Sequence, residues 1–154
     1  MYDAREEENV SVQAFQQIYV APIDDRLGTL LRTELRRALG ENAKSNQKLY
    51  TLNVQVKEGT VGLGVQKDAT ATRANLIVSA QASLFDQEDQ TLFSVDVSSR
   101  NSYNLLTETY ATVEARNDAQ RRGVRELAQQ IRSHLAVYFL RRTQDDGQNQ
   151  SRSR

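Results

Sequence analysis

The sequence predicts an α+β two-layer sandwich. Two helices pack on one face of a mixed, mostly antiparallel four- to five-stranded sheet, in the order β-α-β-β-β-α. Three observations predict it. The middle of the chain, from Leu49 to Tyr103, alternates apolar and polar residues with the period of two that marks half-buried strands. Two segments on either side of it place apolar residues at helical spacing. Each element carries one apolar face, so both helices belong on the same side of the sheet and the other side stays open.

The first strand is expected around Gln13–Ala21, where Ile18 and Val20 alternate with polar neighbours. Pro22 ends it, because proline cannot donate to a ladder. Asp24 or Asp25 is the expected N-cap of the helix that follows. Leu27, Leu30, Leu31, Leu35, Ala38 and Leu39 fall on one face of that helix, and Gly40 is its expected stop. Glu41–Gln47 is a polar loop. Tyr50, Leu52, Val54 and Val56 form the inner side of the next strand, with Val61, Leu63 and Val65 continuing it. Gly59, Gly62 and Gly64 predict a bulge or a bend there.

Lys67–Ala71 is the turn into the cleanest alternation of the chain: Ala74, Leu76, Val78, Ala80, Ala82 and Leu84. Asp86–Asp89 is a hairpin loop, and Thr91, Phe93, Val95 and Val97 begin a strand running on to Tyr103. A long helix is expected over Thr107–Arg142, with Val124, Leu127, Ala128, Ile131, Leu135 and Tyr138 as its stripe. Gly123 lowers helix stability by about 1 kcal/mol relative to alanine and predicts a close approach to the sheet or to the first helix. Residues 1–11 are expected as a flexible lead, 12–142 as the domain and 143–154 as a disordered tail that buries no apolar surface.

Composition excludes several functions. The chain has 20 basic and 20 acidic residues, which argues against nucleic-acid binding driven by a positive field. It has no cysteine and so neither disulfide nor thiolate chemistry. No run is apolar enough to span a bilayer. The single histidine, His134, lies near the core edge of a helix, and Ser133-His134 is no catalytic pair because adjacent helical residues point apart. Gly62-Leu63-Gly64 is no dinucleotide loop, since Lys67 stands at the third glycine position and a strand follows. Asp86, Glu88 and Asp89 lack the spacing of a calcium loop. No catalytic residues, metal ligands or cofactors are expected. The remaining candidates are cations: Arg121, Arg122 and Arg125 on the second helix, and Lys57, Lys67 and Arg73 in the strands and turn, for which phosphate is the natural target.

Three stretches resemble the alphaproteobacterial branch of the LPS-assembly lipoprotein family LptE: IYVAPIDDRLGTLLRTELRRAL, TRANLIVSAQASLFD and SRNSYNLLTETYATVEARNDAQRRGVRELAQQIRSHLAVYF. The features that carry it are Asp25-Arg26-Leu27-Gly28 opening the first helix, Thr72-Arg73 opening the central strand and Ser102-Tyr103-Asn104 before the second helix. The resemblance implies a non-enzymatic, lipid-anchored protein at the periplasmic face of the outer membrane. Such proteins plug the large β-barrel LptD, help it assemble and bind lipopolysaccharide. The implied lipopolysaccharide contacts fall on Lys67, in the turn before Thr72-Arg73, on Arg73 itself, and on Arg116 in the segment leading into the last helix. The lipid-bearing cysteine of the family has no counterpart in this sequence. The rival expectation is a cytoplasmic α+β interaction module that homodimerises through its open sheet face or an edge strand.

Overall fold

A computed structural model describes residues 4–40, 48–63, 72–105 and 109–152. In chain order the elements are α1 (Ala4–Gln16), β1 (Ile18–Val20), α2 (Asp25–Leu39), β2 (Tyr50–Leu63), β3 (Thr72–Phe85), β4 (Thr91–Leu105) and α3 (Thr109–Arg152). The strands form one sheet in the order β1-β2-β3-β4, parallel between β1 and β2 and antiparallel elsewhere. The expected mixed sheet is thus present with four strands.

The core lies between the sheet and the helices. Even-numbered residues of β2 and β3, among them Leu52, Val54, Leu76, Val78, Ala82 and Leu84, point into it together with Val97 and Tyr103 of β4. Leu31, Leu35 and Leu39 of α2 and Val124, Leu127, Ile131 and Leu135 of α3 close it from above. The two helices run side by side in the same direction, and Arg132 Nε donates to Ala38 O at 3.1 Å. Gly123 lets α3 settle onto the sheet and not onto α2. A Cβ there would lie 3.0 Å from Ser99 Oγ and 3.1 Å from Val78 Cγ2. Gly40 ends α2 in the left-handed conformation (φ 65, ψ 42) that glycine adopts without steric penalty.

Several expectations are corrected. α1 occupies residues 4–16, where a flexible lead and then a strand from Gln13 are expected; only Ile18–Val20 is strand. Helix formers dominate this stretch (Ala, Arg, Glu, Gln). Tertiary packing then holds it, with the Phe15 ring edge-on to Phe139 at 6.5 Å and capped by Arg132 at 5.3 Å. α3 begins at Thr109 and continues past Arg142 to Arg152, where a disordered tail is expected. These last turns bury nothing. They extend a helix already nucleated by its packed part, with no proline to stop it.

β2 has no bulge at Gly59 or Gly62. Its pairing with β3 runs unbroken from Thr51↔Phe85 to Leu63↔Arg73. Gly64 lies outside the described residues, as do the Glu41–Gln47 loop and Lys67. Asp24 holds the N-cap position of α2 in an extended conformation, but its side chain makes no capping bond. Ile23 instead folds back over the first turn and reaches Gly28.

Candidate functional site

Odd-numbered residues of β2 and β3 face away from the helices, and even-numbered residues of β4 join them. No described element covers this side of the sheet. The ladder register orders its side chains into rows. Lys57, Ser79 and Ser98 lie side by side, then Gly59, Ile77 and Arg100, then Val61, Asn75 and Ser102, then Arg73 and Asn104. Three cations therefore share the half of the face nearer the β2–β3 turn, and these four rows hold no acid. Strand geometry puts the Cα atoms of Lys57 and Arg73 roughly 12 and 14 Å from that of Arg100. Between them sit Ile77, half-buried, and Val61, exposed.

None of the three cations has a hydrogen bond or ion pair among the described residues. The floor is ordered. Asn75 is 4% exposed, and Ser102 Oγ donates to its Oδ1 at 2.7 Å. The adjoining half is neutral to acidic, with Gln55, Gln81 and Asp96 lining, with Lys57, a shallow cavity of about 560 Å³. A face of this kind suits an anionic ligand with an apolar portion: guanidinium and ammonium groups meet phosphate, and Ile77 and Val61 meet hydrocarbon.

Of the residues expected to touch lipopolysaccharide, Arg73 stands on this face and is exposed. Arg116 does not. It lies on α3, on the opposite side of the sheet, and its Nη2 donates to Glu58 Oε1 at 2.5 Å while Gln120 Nε2 donates to Glu58 Oε2 at 2.7 Å. That trio fastens the start of α3 to β2. The structure thus separates Arg73 from Arg116, and Lys67 lies outside the described residues. Arg100 is the cation that sequence reasoning missed. Its signal was parity, since it falls on the same side of β4 as Ser98 and Ser102.

The other candidates have structural partners or none to work with. Arg122 pairs with Asp118 at 3.0 Å and reaches Asn101 Oδ1 and Ser102 O at 3.4 Å each. His134 is exposed on α3. Asp86 Oδ1 accepts the backbone N–H groups of Glu88 and Gln90, which builds the hairpin turn. Among the described residues no group of His, Asp and Glu could hold a metal ion. No described helix is long and apolar enough to cross a membrane.

Fold and face together describe a small α+β domain whose open sheet face carries three cations. The family model for lipopolysaccharide assembly, LptE, matches residues 9–135, and the chain belongs to that family. It is 27% identical over 143 residues to an uncharacterised protein of Rickettsia prowazekii (strain Madrid E), covering 92% of this chain and 87% of the relative. Its fold is shared with a crystal structure of a protein from Caulobacter crescentus CB15 described as a lipoprotein. There the TM-score is 0.67 at 20% identity, over 87% of this chain and 98% of that one. A minor lipoprotein from Acinetobacter baumannii has a TM-score of 0.59 at 16% identity, over 80% of this chain and 94% of that one.

Proposed function

We propose that this protein is a non-enzymatic lipopolysaccharide-assembly factor. It seats in an LptD-like outer-membrane β-barrel, helps that barrel assemble, and holds lipopolysaccharide on the open face of its sheet. Family membership supports the role in lipopolysaccharide assembly. The lipoproteins that share its fold support a site in the bacterial envelope, which we take to be the periplasmic face of the outer membrane. The observation that carries the ligand assignment is the group of Lys57, Arg73 and Arg100 on one uncovered face, with no acid in their rows and with Ile77 and Val61 between them. Phosphates of lipopolysaccharide would meet the cations and its hydrocarbon the apolar pair. Lys67, implied by the family resemblance, is kept as a proposed contact. Arg116 serves the fold through Glu58.

A charge-balanced surface also suits a polar, wet barrel lumen. The test is recovery of the barrel. The tagged protein is incubated with detergent-solubilised outer membranes of its source, and retained proteins are identified by mass spectrometry. Stoichiometric recovery of one large β-barrel is expected. Recovery of the bait alone, from a folded sample, would refute the plug role and favour a self-associating module.

A further inference from the structure

Helix α3 is held to the sheet in two ways, and the change falls at Gly123. After it the inner side is apolar: Val124, Leu127, Ala128, Ile131, Leu135 and Phe139 are all buried. Before it, among the described residues, Ala119 is the fully buried apolar side chain, with Ala115 half-buried beside it. Polar contacts hold this part instead. Arg116 and Gln120 share Glu58 on β2, and Arg122 reaches Asn101 Oδ1 and Ser102 O on β4. At the junction Ser99 Oγ donates to Gly123 O at 3.2 Å, so that point of the helix is pinned to β4.

Two further observations concern the same seam. Gly123 stands at the pin, and glycine frees the backbone and weakens the helix there relative to alanine. Asn101 Nδ2 is buried with no hydrogen-bond partner among the described residues, and it would lie 3.6 Å from a Cβ at Gly123. Such a donor costs free energy only while it is shielded from water, so it weighs against the closed arrangement. The ladder register places Leu76 opposite Asn101 and Ala74 opposite Tyr103, beyond the Val78 and Ser99 pair on which Gly123 rests. The start of α3 therefore covers that end of the sheet.

We infer that residues 109–122 form a releasable arm. The arm lifts from the sheet about Gly123 while residues 124–139 stay packed, and Glu58 is its latch. Lifting it breaks the Arg116 and Gln120 contacts, lets water reach Asn101, and uncovers a strip of Leu76, Ala74 and Tyr103. That strip lies at the end of the sheet whose opposite face carries Arg73 and Arg100. A lifted helix of this length is marginal in water and unwinds. The motion is a sub-global opening, distinct from unfolding of the whole chain. It does not depend on what the open face binds.

The chain has no cysteine, so a single introduced thiol reports on one position. Ala119→Cys places it beneath the arm and Ala128→Cys beneath the packed part, and both alanines are fully buried. Each purified full-length variant is treated with an excess of an aromatic disulfide reagent, at urea concentrations below the unfolding transition. The thiol of Ala119→Cys is expected to react about tenfold faster or more than that of Ala128→Cys in the absence of urea. Its rate should barely change with urea, because arm opening exposes little surface, while the rate for Ala128→Cys climbs steeply. Adding Glu58→Ala should raise the Ala119→Cys rate about fivefold. Adding Gly28→Ala, which loosens the first turn of α2, should leave it unchanged. Equal rates with one urea slope, or an Ala119→Cys rate indifferent to Glu58→Ala, would overturn the proposal. Where either cysteine variant does not fold, amide exchange of the wild type decides instead. Amides of residues 113–122 should then exchange ahead of 124–139 with little urea dependence, and exchange of both stretches together would overturn it.

Discussion

Ile23 leans so closely on the first turn of α2 that Gly28 has no room for a methyl group: a Cβ would lie 2.5 Å from Ile23 Cγ2 and 2.9 Å from its backbone C and O atoms. Gly28→Ala is therefore expected to destabilise the fold by about 1–3 kcal/mol despite alanine's better helix propensity, because backbone must move. Thermal unfolding checks this; a Tm equal to or above wild type would refute it. Glu58→Ala removes the acceptor shared by Arg116 and Gln120. The Arg116 side chain is 41% exposed, so solvent screening limits the ion pair. The expected loss is about 1 kcal/mol, or roughly 3 °C in Tm for a chain of this size. Gly40 and Gly123 were legible as residues, since a helix stop and a tight helix–sheet contact each call for glycine. The Ile23–Gly28 contact was not, because the acidic pair Asp24-Asp25 offered a simpler cap that the backbone does not use. The Arg116–Glu58 pair was not legible either: nothing local to Arg116 shows that Glu58, far away in sequence, lies beside it.

The elements differ in how fully the sequence encodes them. β3 was legible along its whole length because its core side alternates without a break from Ala74 to Leu84. The glycines of β2 suggested a bulge, but continuous pairing to β3 overrides their weak strand preference. That pairing predicts a pattern in amide exchange. Residues 53, 55, 57, 59 and 61 of the isolated protein, bonded toward β3, should exchange slowly. The amides of Val54, Val56, Glu58, Thr60 and Gly62 should exchange faster, by about tenfold or more, because they face the bare edge. Uniform protection along β2 would show that the edge is covered. α1 was hidden because, among its described residues, the apolar ones that meet the core are Ala14 and Phe15, beside a run of charged residues and too few to register as an apolar stripe. The last turns of α3 were hidden because helix continuation, not burial, maintains them. Deleting residues 143–154 is accordingly expected to leave Tm within about 1 °C of the full chain, since all described residues there are exposed.

At the scale of the whole molecule, the sheet separates two jobs. One side carries the core and both packed helices, which is why its residues could be read from periodicity alone. The other carries polar side chains whose meaning depends on register: Lys57, Arg73 and Arg100 are far apart in sequence and come to one half of one face only when β2, β3 and β4 pair as they do. Composition conceals this, because the chain as a whole has no net charge. The central claim is that this face holds lipopolysaccharide, and a binding titration tests it most directly. Purified wild-type protein, the double variant Arg73→Asp with Arg100→Asp, and Arg121→Asp as a control on α3 are titrated with fluorescent lipopolysaccharide at fixed ionic strength. Loss of two charge-assisted contacts should weaken binding by about tenfold or more in the double variant, with Tm within a few degrees of wild type, and the control should bind normally. Equal affinity for the wild type and the folded double variant would contradict the account.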